Sequence, residues 1–226
     1  QFDLVDRASE PDALARGNPD EERHHFINAD AYGSFPFRRL RQQFVIDRLG
    51  PTVAEARNGD VMWQIDRFGL RLTSDFRGDE RGRILHDAVF AAHYAADLTQ
   101  PLHTVSNYDG QRTGQRGIHQ AFETGVVDLN ADRWILRPRA AGDIRDLRAA
   151  IFSEFLKSYQ SAPIIFAADR QVRGRWRPGD AGYLRALSRQ LGPFTQNRIE
   201  DAAWFVASLW YTAWRNAGSP DLRSLR

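Results

Sequence analysis

Cysteine is absent from the 226-residue chain, which excludes a disulfide framework and any thiolate metal site. No apolar run approaches the roughly 20 residues that a membrane-spanning helix needs, so no transmembrane segment is expected. A cleavable secretory leader is not seen at Gln1, and an exported form would already have lost it. Excess charge of one sign is missing as well. With 31 basic and 29 acidic residues the formal net charge is +2, which makes no strong electrostatic case for nucleic acid despite a pI near 9.2. Arginine carries nearly all the positive charge, scattered as on a solvated surface. Sustained period-two alternation, internal repeats, heptads and low-complexity tracts are also wanting. What remains is 42% hydrophobic and 27% charged, ordinary for a globular chain and enough to bury a core. One domain over residues 1–226 is expected.

Helical punctuation predicts an all-α multi-helix bundle. Residues 1–36 read as irregular, with Glu10-Pro11-Asp12 and Asn18-Pro19-Asp20 leading into His24-His25-Phe26. Helices are predicted over Pro36–Leu49, with Phe37, Leu40, Phe44 and Leu49 inward, and over Asp60–Arg77, with Ile65, Leu72 and Phe76 inward. Gly78-Asp79 separates the second from a helix over Glu80–Leu98. Glycine and polar residues make Ser106–Gly117 a rim loop. Further helices are predicted over Gly142–Gln160, Pro178–Leu191 and Pro193–Ala217. The last includes Ala202–Trp214, apolar nearly all round and so expected to be central. Its tryptophans could stack bases or face lipid, but their helical spacing favours packing.

The chemistry-bearing residues lie between these punctuation marks. His93 and Asp97 are i and i+4 on a predicted helix, so both side chains leave one face and can meet at one cation. Gln100-Pro101 ends that helix and leaves His103 just past the break. His119 and Glu123 repeat the i,i+4 device after the loop. Four of the six histidines, His25, His93, His103 and His119, stand where one site could use them. Imidazole and carboxylate without thiolate suit a borderline divalent ion such as zinc. Asp12 is a further carboxylate candidate with Glu10 and Asp20 as rivals, and His24 competes with His25. His86 lies two turns before His93, roughly 10 Å away along the axis, too far to share an ion. A buried, hydrogen-bonded histidine is expected there.

The run His93-Tyr94-x-x-Asp97-x-x-Gln100-Pro101-x-His103, followed by His119-x-x-x-Glu123, resembles the zinc-dependent phospholipase C and single-strand-specific nuclease superfamily. His25-Phe26-Ile27, Asp12 and the tryptophan-rich last helix extend the resemblance over about residues 10–217, strongly in 93–123. It implies an all-α phosphodiesterase with zinc ions in a cleft. Asp12, His25, His93 and Asp97 would hold one ion, His103, His119 and Glu123 another, and Asp97 would bridge; Asp12 and Asp97 would be catalytic. Relatives hold a third ion through an N-terminal tryptophan and a nearby histidine. The first tryptophan here is Trp63, so the chain is expected either to lack the family's first helix or to work with two ions.

The length from His103 to His119 and the glutamate at 123 are similar to the phospholipase branch, whereas Asp109-Gly110-Gln111 is similar to the nuclease branch. Single-stranded nucleic acid or nucleotides are the expected substrate, with phospholipid headgroups as alternative and a catalytically decayed metal-binding scaffold as the rival from another class. Asn107, Tyr108, Asp109 and Arg112 are candidate substrate contacts in the rim loop, and Tyr32, Phe35, Phe37 and Tyr108 could serve a base or a lipid. The resemblance also implies secretion or a periplasmic location. No stable protein partner is implied.

Overall fold

The computed structural model describes residues 2–78 and 80–223, so Asp79 of the expected Gly78-Asp79 break lies outside the described residues. Four long helices carry the architecture: α1, Val61–Gly78; α2, Arg81–Thr99; α3, Leu147–Arg173; and α4, Ala181–Asn216. Among the described residues there is no strand, and no helix is long and apolar enough to cross a membrane. The chain is all-α.

Helices α1 and α2 form a hairpin through Phe68, Phe90 and Tyr94, with the Phe68 and Phe90 rings stacked at 5.2 Å. Buried positions on α2 run Ile84, Ala88, Ala91, Ala95, Leu98, a 3–4 spacing that turns one alanine-rich stripe into the bundle. At 100° per residue, His93 and Asp97 fall on the opposite face. Short N-terminal turns cover that face. They are helical at Phe2–Asp6, Glu10–Ala15 and Pro19–Glu22, and 3₁₀ at Arg23–His25 and Ala29–Tyr32. Much of residues 2–32 is therefore short helical turns rather than irregular chain. Pro11 and Pro19 open two of these turns, where a missing N–H costs nothing.

Other boundaries also depart from expectation. The helix predicted over Pro36–Leu49 is α-helical only at Arg38–Arg41 and continues as a π-helical segment, Gln42–Ile46; Phe37, Leu40 and Phe44 are buried but Leu49 is exposed. Helix α3 starts at Leu147, where Asp146 Oδ1 accepts from Ala149 N (3.1 Å), and runs through Pro163. The two helices predicted on either side of Pro193 are one, α4. Pro163 and Pro193 both sit on exposed positions, so the carbonyls they leave unpaired one turn back are not stranded in the core.

Among the described residues three apolar clusters share the long helices, the smallest of them Leu72, Phe76, Ile84, Ala88 and Ala213. The largest includes Ile65, Phe68, Phe90, Leu98, Phe155 and Phe205; the second includes Leu102, Ile118, Phe122, Ile165, Leu187 and Leu191. Helix α4 packs against α1, α2 and α3, but its Trp-rich stretch is buried on one face only. Phe205, Leu209 and Ala213 face inward, while Trp204, Trp210 and Trp214 are half-buried at the bundle edge. Each indole N–H bonding seen there points to backbone: Trp210 donates to Ala88 O (3.0 Å) and Trp214 to Pro220 O (2.9 Å).

Candidate metal centre

Backbone stitching brings the donor-bearing segments together. Asp60 N donates to Arg23 O (3.0 Å) and Asn28 N to Asn58 O (2.7 Å), fastening the His25 turn to the start of α1. Gly59 makes this possible: its φ is +87°, and a Cβ there would lie 2.1 Å from Phe26 O. Ile27 N donates to His103 O (2.8 Å), while His103 Nδ1 donates to His25 O (2.9 Å). The histidines of two sequence regions thus hold each other's backbone.

Four donor atoms then converge. His25 Nδ1 lies 3.1 Å from His93 Nε2 and 2.9 Å from Asp97 Oδ2, and His93 Nε2 is 3.4 Å from that oxygen. Asp12 Oδ1 completes the group at 3.4 Å from His93 Nε2 and 3.7 Å from His25 Nδ1. Two donors about 2.0–2.1 Å from a tetrahedral zinc stand about 3.3–3.4 Å apart, and the spacings measured from His25 and His93 bracket that edge. A second group has His103 Nε2, His119 Nε2 and Glu123 Oε2 separated by 3.3, 3.5 and 2.7 Å. Asp12, His25 and His93 stand within reach of one ion, as do His103, His119 and Glu123, while Asp97 reaches His25 and His93 but stands farther from Asp12. The rivals point elsewhere: Glu10 bonds Arg7, Asp20 bonds Arg23, and His24 Nδ1 faces Asp60 at 2.6 Å.

Neighbours aim the rings. A carbonyl can only accept, so His93 Nδ1, 2.9 Å from Ala8 O, carries the hydrogen and leaves Nε2 to face the group. The bond from His103 Nδ1 to His25 O does the same for His103. Asp97 touches both groups, with Oδ2 among the first donors and Oδ1 3.3 Å from His103 Nδ1. The link between the groups therefore runs through the His103 ring rather than through a shared carboxylate oxygen.

Without an ion, burial opposes charge on Asp97, yet the His103, His25 and His93 rings hold its carboxyl down to about 2. Burial likewise opposes protonation of His103, but Asp97 and Glu123 push it up to about 10. Glu123, despite burial, is held far below the usual carboxylate range by His103 and His119. A bonded His93 lowers Asp12, and Asp12 and Asp97 raise His93 against its burial. In the metal-free protein His103 thus favours its imidazolium and Asp97 and Glu123 their carboxylates, so a cation taking His103 as donor would have to displace a proton.

Several residues that build the site were given no role in the sequence reading. Gln100 Oε1 accepts from Leu102 N (2.6 Å), shaping the 3₁₀ turn Pro101–Thr104, and its Nε2 donates to Glu123 Oε2 (2.9 Å). Glu21 accepts from Tyr94 OH and lies 3.9 Å from His25 Nε2. Arg198, buried, donates through Nε to Thr99 O (3.0 Å) and through Nη2 to Glu154 (2.6 Å) and Ser158 (2.9 Å), clasping the end of α2. The Gln100-Pro101 break could have flagged Gln100 as a cap; nothing local flags Arg198.

In the rim loop three of the four candidate substrate contacts are engaged in holding the loop. Asp109 Oδ1 accepts from Gly117 N (2.9 Å) and His119 N (3.3 Å), a cap for the short helix Ile118–Gln120. Asn107 bonds Arg112 N and Thr113 Oγ1, and Arg112 donates to Ser106 Oγ (2.6 Å). Tyr108 is different: half exposed, with its ring edge-on to His119 at 5.8 Å. Of the other aromatics, Tyr32 and Phe37 are buried in the core and Phe35 is exposed. His86 is half-exposed rather than buried, bonded to Asp87 Oδ1 (2.8 Å) and stacked on Phe90. Glu123 stands in a π-helical segment, Ala121–Val126, so the His119–Glu123 pair spans an α-to-π transition.

No family model matches the chain, and no curated protein matches it.

Proposed function

We propose that the chain is a metal-dependent phosphoric ester hydrolase that cleaves phosphodiester bonds, with single-stranded nucleic acid or nucleotides as substrate. The observation that carries this reading is the pair of adjacent donor groups joined through Asp97 and His103. Asp12, His25, His93 and Asp97 would hold one zinc ion and His103, His119 and Glu123 a second. Bound there, such ions polarise a phosphoryl oxygen, activate water near neutral pH and offset charge on the leaving alkoxide. The chain's own residues do the rest. Ala8 O and His25 O fix two rings, Gln100 steadies Glu123, and Asp12, the most exposed donor carboxylate, is available to accept a proton from an attacking water. Export to the periplasm or beyond belongs to the same reading and follows the motif resemblance.

One observation favours a phospholipid headgroup as second reading. A cavity of about 590 Å³ lies between Asp30, Asn107 and the apolar Phe35, Val105, Tyr159 and Phe166, beside the segments that carry His25 and His103. Zinc content and turnover of a chromogenic phosphodiester test the reaction. About two ions with turnover is the expected result; bound zinc without turnover, in protein shown to be full length, would leave a scaffold. Single-stranded DNA, 3′-nucleotides and phosphatidylcholine, compared directly, separate the substrates, and inertness toward all three overturns both readings.

A further inference from the structure

Beyond Glu123, the same segment leads to a second cavity that the metal chemistry does not use. It measures about 530 Å³ and is walled by Arg133, Arg185, Arg189, Trp134, Asn130 and Ser188, among others. Arg185 and Arg189 are one turn apart on α4 and share a face, while Arg133 comes from the turn after the π-helical segment. None of these three guanidinium groups makes an ion pair, side-chain hydrogen bond or ring contact among the described residues. Arg148, Arg173 and Arg198 are by contrast each paired with a carboxylate. Three like charges around one concavity with no counter-ion raise the local potential and attract an anion.

The chemistry of the wall narrows the ligand. Guanidinium forks bind phosphate oxygens two at a time. Trp134 is half-buried, so its indole is anchored and still accessible to a planar ring. Asn130 is pinned by Nδ2 bonds to Val126 O (2.6 Å) and Ser188 Oγ (2.7 Å). We propose that this cavity is a phosphate-ester subsite, with Arg133, Arg185 and Arg189 on the phosphate and Trp134 against an attached ring; a nucleotide unit is the ligand class. Leu129, which lines it, is six residues past Glu123, beyond the end of the π-helical segment, so on the proposed reading a strand bound at the donor groups would extend toward the arginines. Only this last connection rests on the hydrolase reading.

The test needs no turnover. The full chain in EDTA is titrated with inorganic phosphate, a nucleoside 5′-monophosphate and a dye-labelled oligothymidylate, reading tryptophan emission and anisotropy across a salt series. Quenching by the nucleotide, weaker competition by phosphate and loss of quenching in W134F are expected. R133S/R185S/R189S should lower oligonucleotide affinity at least tenfold and reduce the salt slope by about 2, at about 0.7 for each lost single-strand phosphate contact. Single variants R133S and R189S, each expected to lower it by about 0.7, repeat the test with less change to the surface. An oligonucleotide that binds more tightly than the monophosphate assigns the site to a strand, and equal affinity assigns it to free nucleotide. Absence of binding by all three probes, or an unchanged affinity and slope in the triple variant with its helical signal intact, overturns the proposal. Failure here leaves hydrolysis untouched, and a chain without hydrolysis could still bind in EDTA.

Discussion

The two donor groups use the same kinds of side chain on unlike supports. Asp12, His25, His93 and Asp97 meet where α2, a 19-residue helix, is covered by short N-terminal turns. His103, His119 and Glu123 are carried instead by short pieces, a 3₁₀ turn, a three-residue α-helix and a π-helical segment, which rest on α3 and α4 through Leu102, Ile118 and Phe122. In the first group, helical periodicity sets the geometry, and Ala8 O trims one ring. In the second, hydrogen bonds from Gln100 and Asp109 substitute for a rigid helix. Precise donor placement can thus come from an element's own repeat or from side chains that cap several short pieces, and the second route is the more exposed to single substitutions.

The sharpest way to break the comparison is Asp97→Asn, which touches both groups. Loss of ions from both and a fall in phosphodiester turnover on the order of 10²-fold or more are expected, read by native mass spectrometry beside kinetics. Loss from the first group alone would sever the link assigned to His103. Glu123→Gln should act on one group only: stoichiometry falls by one while the ion held by His93 stays. Gln100→Ala removes no donor, yet should weaken the second group's affinity about 10- to 100-fold and leave the first unchanged. Equal weakening of both would mean that Gln100 acts on the whole fold.

Acidity gives a smaller effect. His103 sits at about 10 in the metal-free protein against an ordinary 6.5, so its stabilisation is complete below about pH 6.5 and lost as pH rises through 10. Chelated protein should therefore drop by a few degrees in Tm between pH 7 and 10. Metal-loaded protein, whose His103 has already given up that proton, should not follow it. Similar curves would detach His103 from the second group. Asp12→Asn is expected to matter least for affinity, a few-fold, because its side chain is 62% exposed. A complete loss of metal on that change would make Asp12 a principal donor.

What the sequence made legible follows the same division. The i,i+4 pair His93 and Asp97 could be read because a regular helix converts spacing into direction. The convergence of His119 and Glu123 was also legible as a pair, but not the π-helical turn beneath it or the cap from Asp109, which depend on where a loop closes. Gly110, at φ +68° and with a Cβ position 2.5 Å from Gln115, shapes that closure, and no periodicity announces it. Pro163 and Pro193 misled for the opposite reason. A proline inside a helix costs about 3 kcal/mol, but packing of Ile165, Leu187 and Leu191 on either side outweighs a local breaker on the solvent face.

Arg198 ties this architecture to the order of assembly. Its guanidinium reaches Thr99 O, Glu154 and Ser158 only once α3 and α4 lie against the end of α2. Until those late-synthesised helices arrive, the last carbonyls beyond Asp97 have no clasp, and the ligand-bearing rod is free to fray from the end nearest His103. On the proposed metal reading, cation capture would then follow docking of the C-terminal half, and a ribosome-bound nascent chain that stops short of α4 is expected to bind zinc poorly however complete its set of donors.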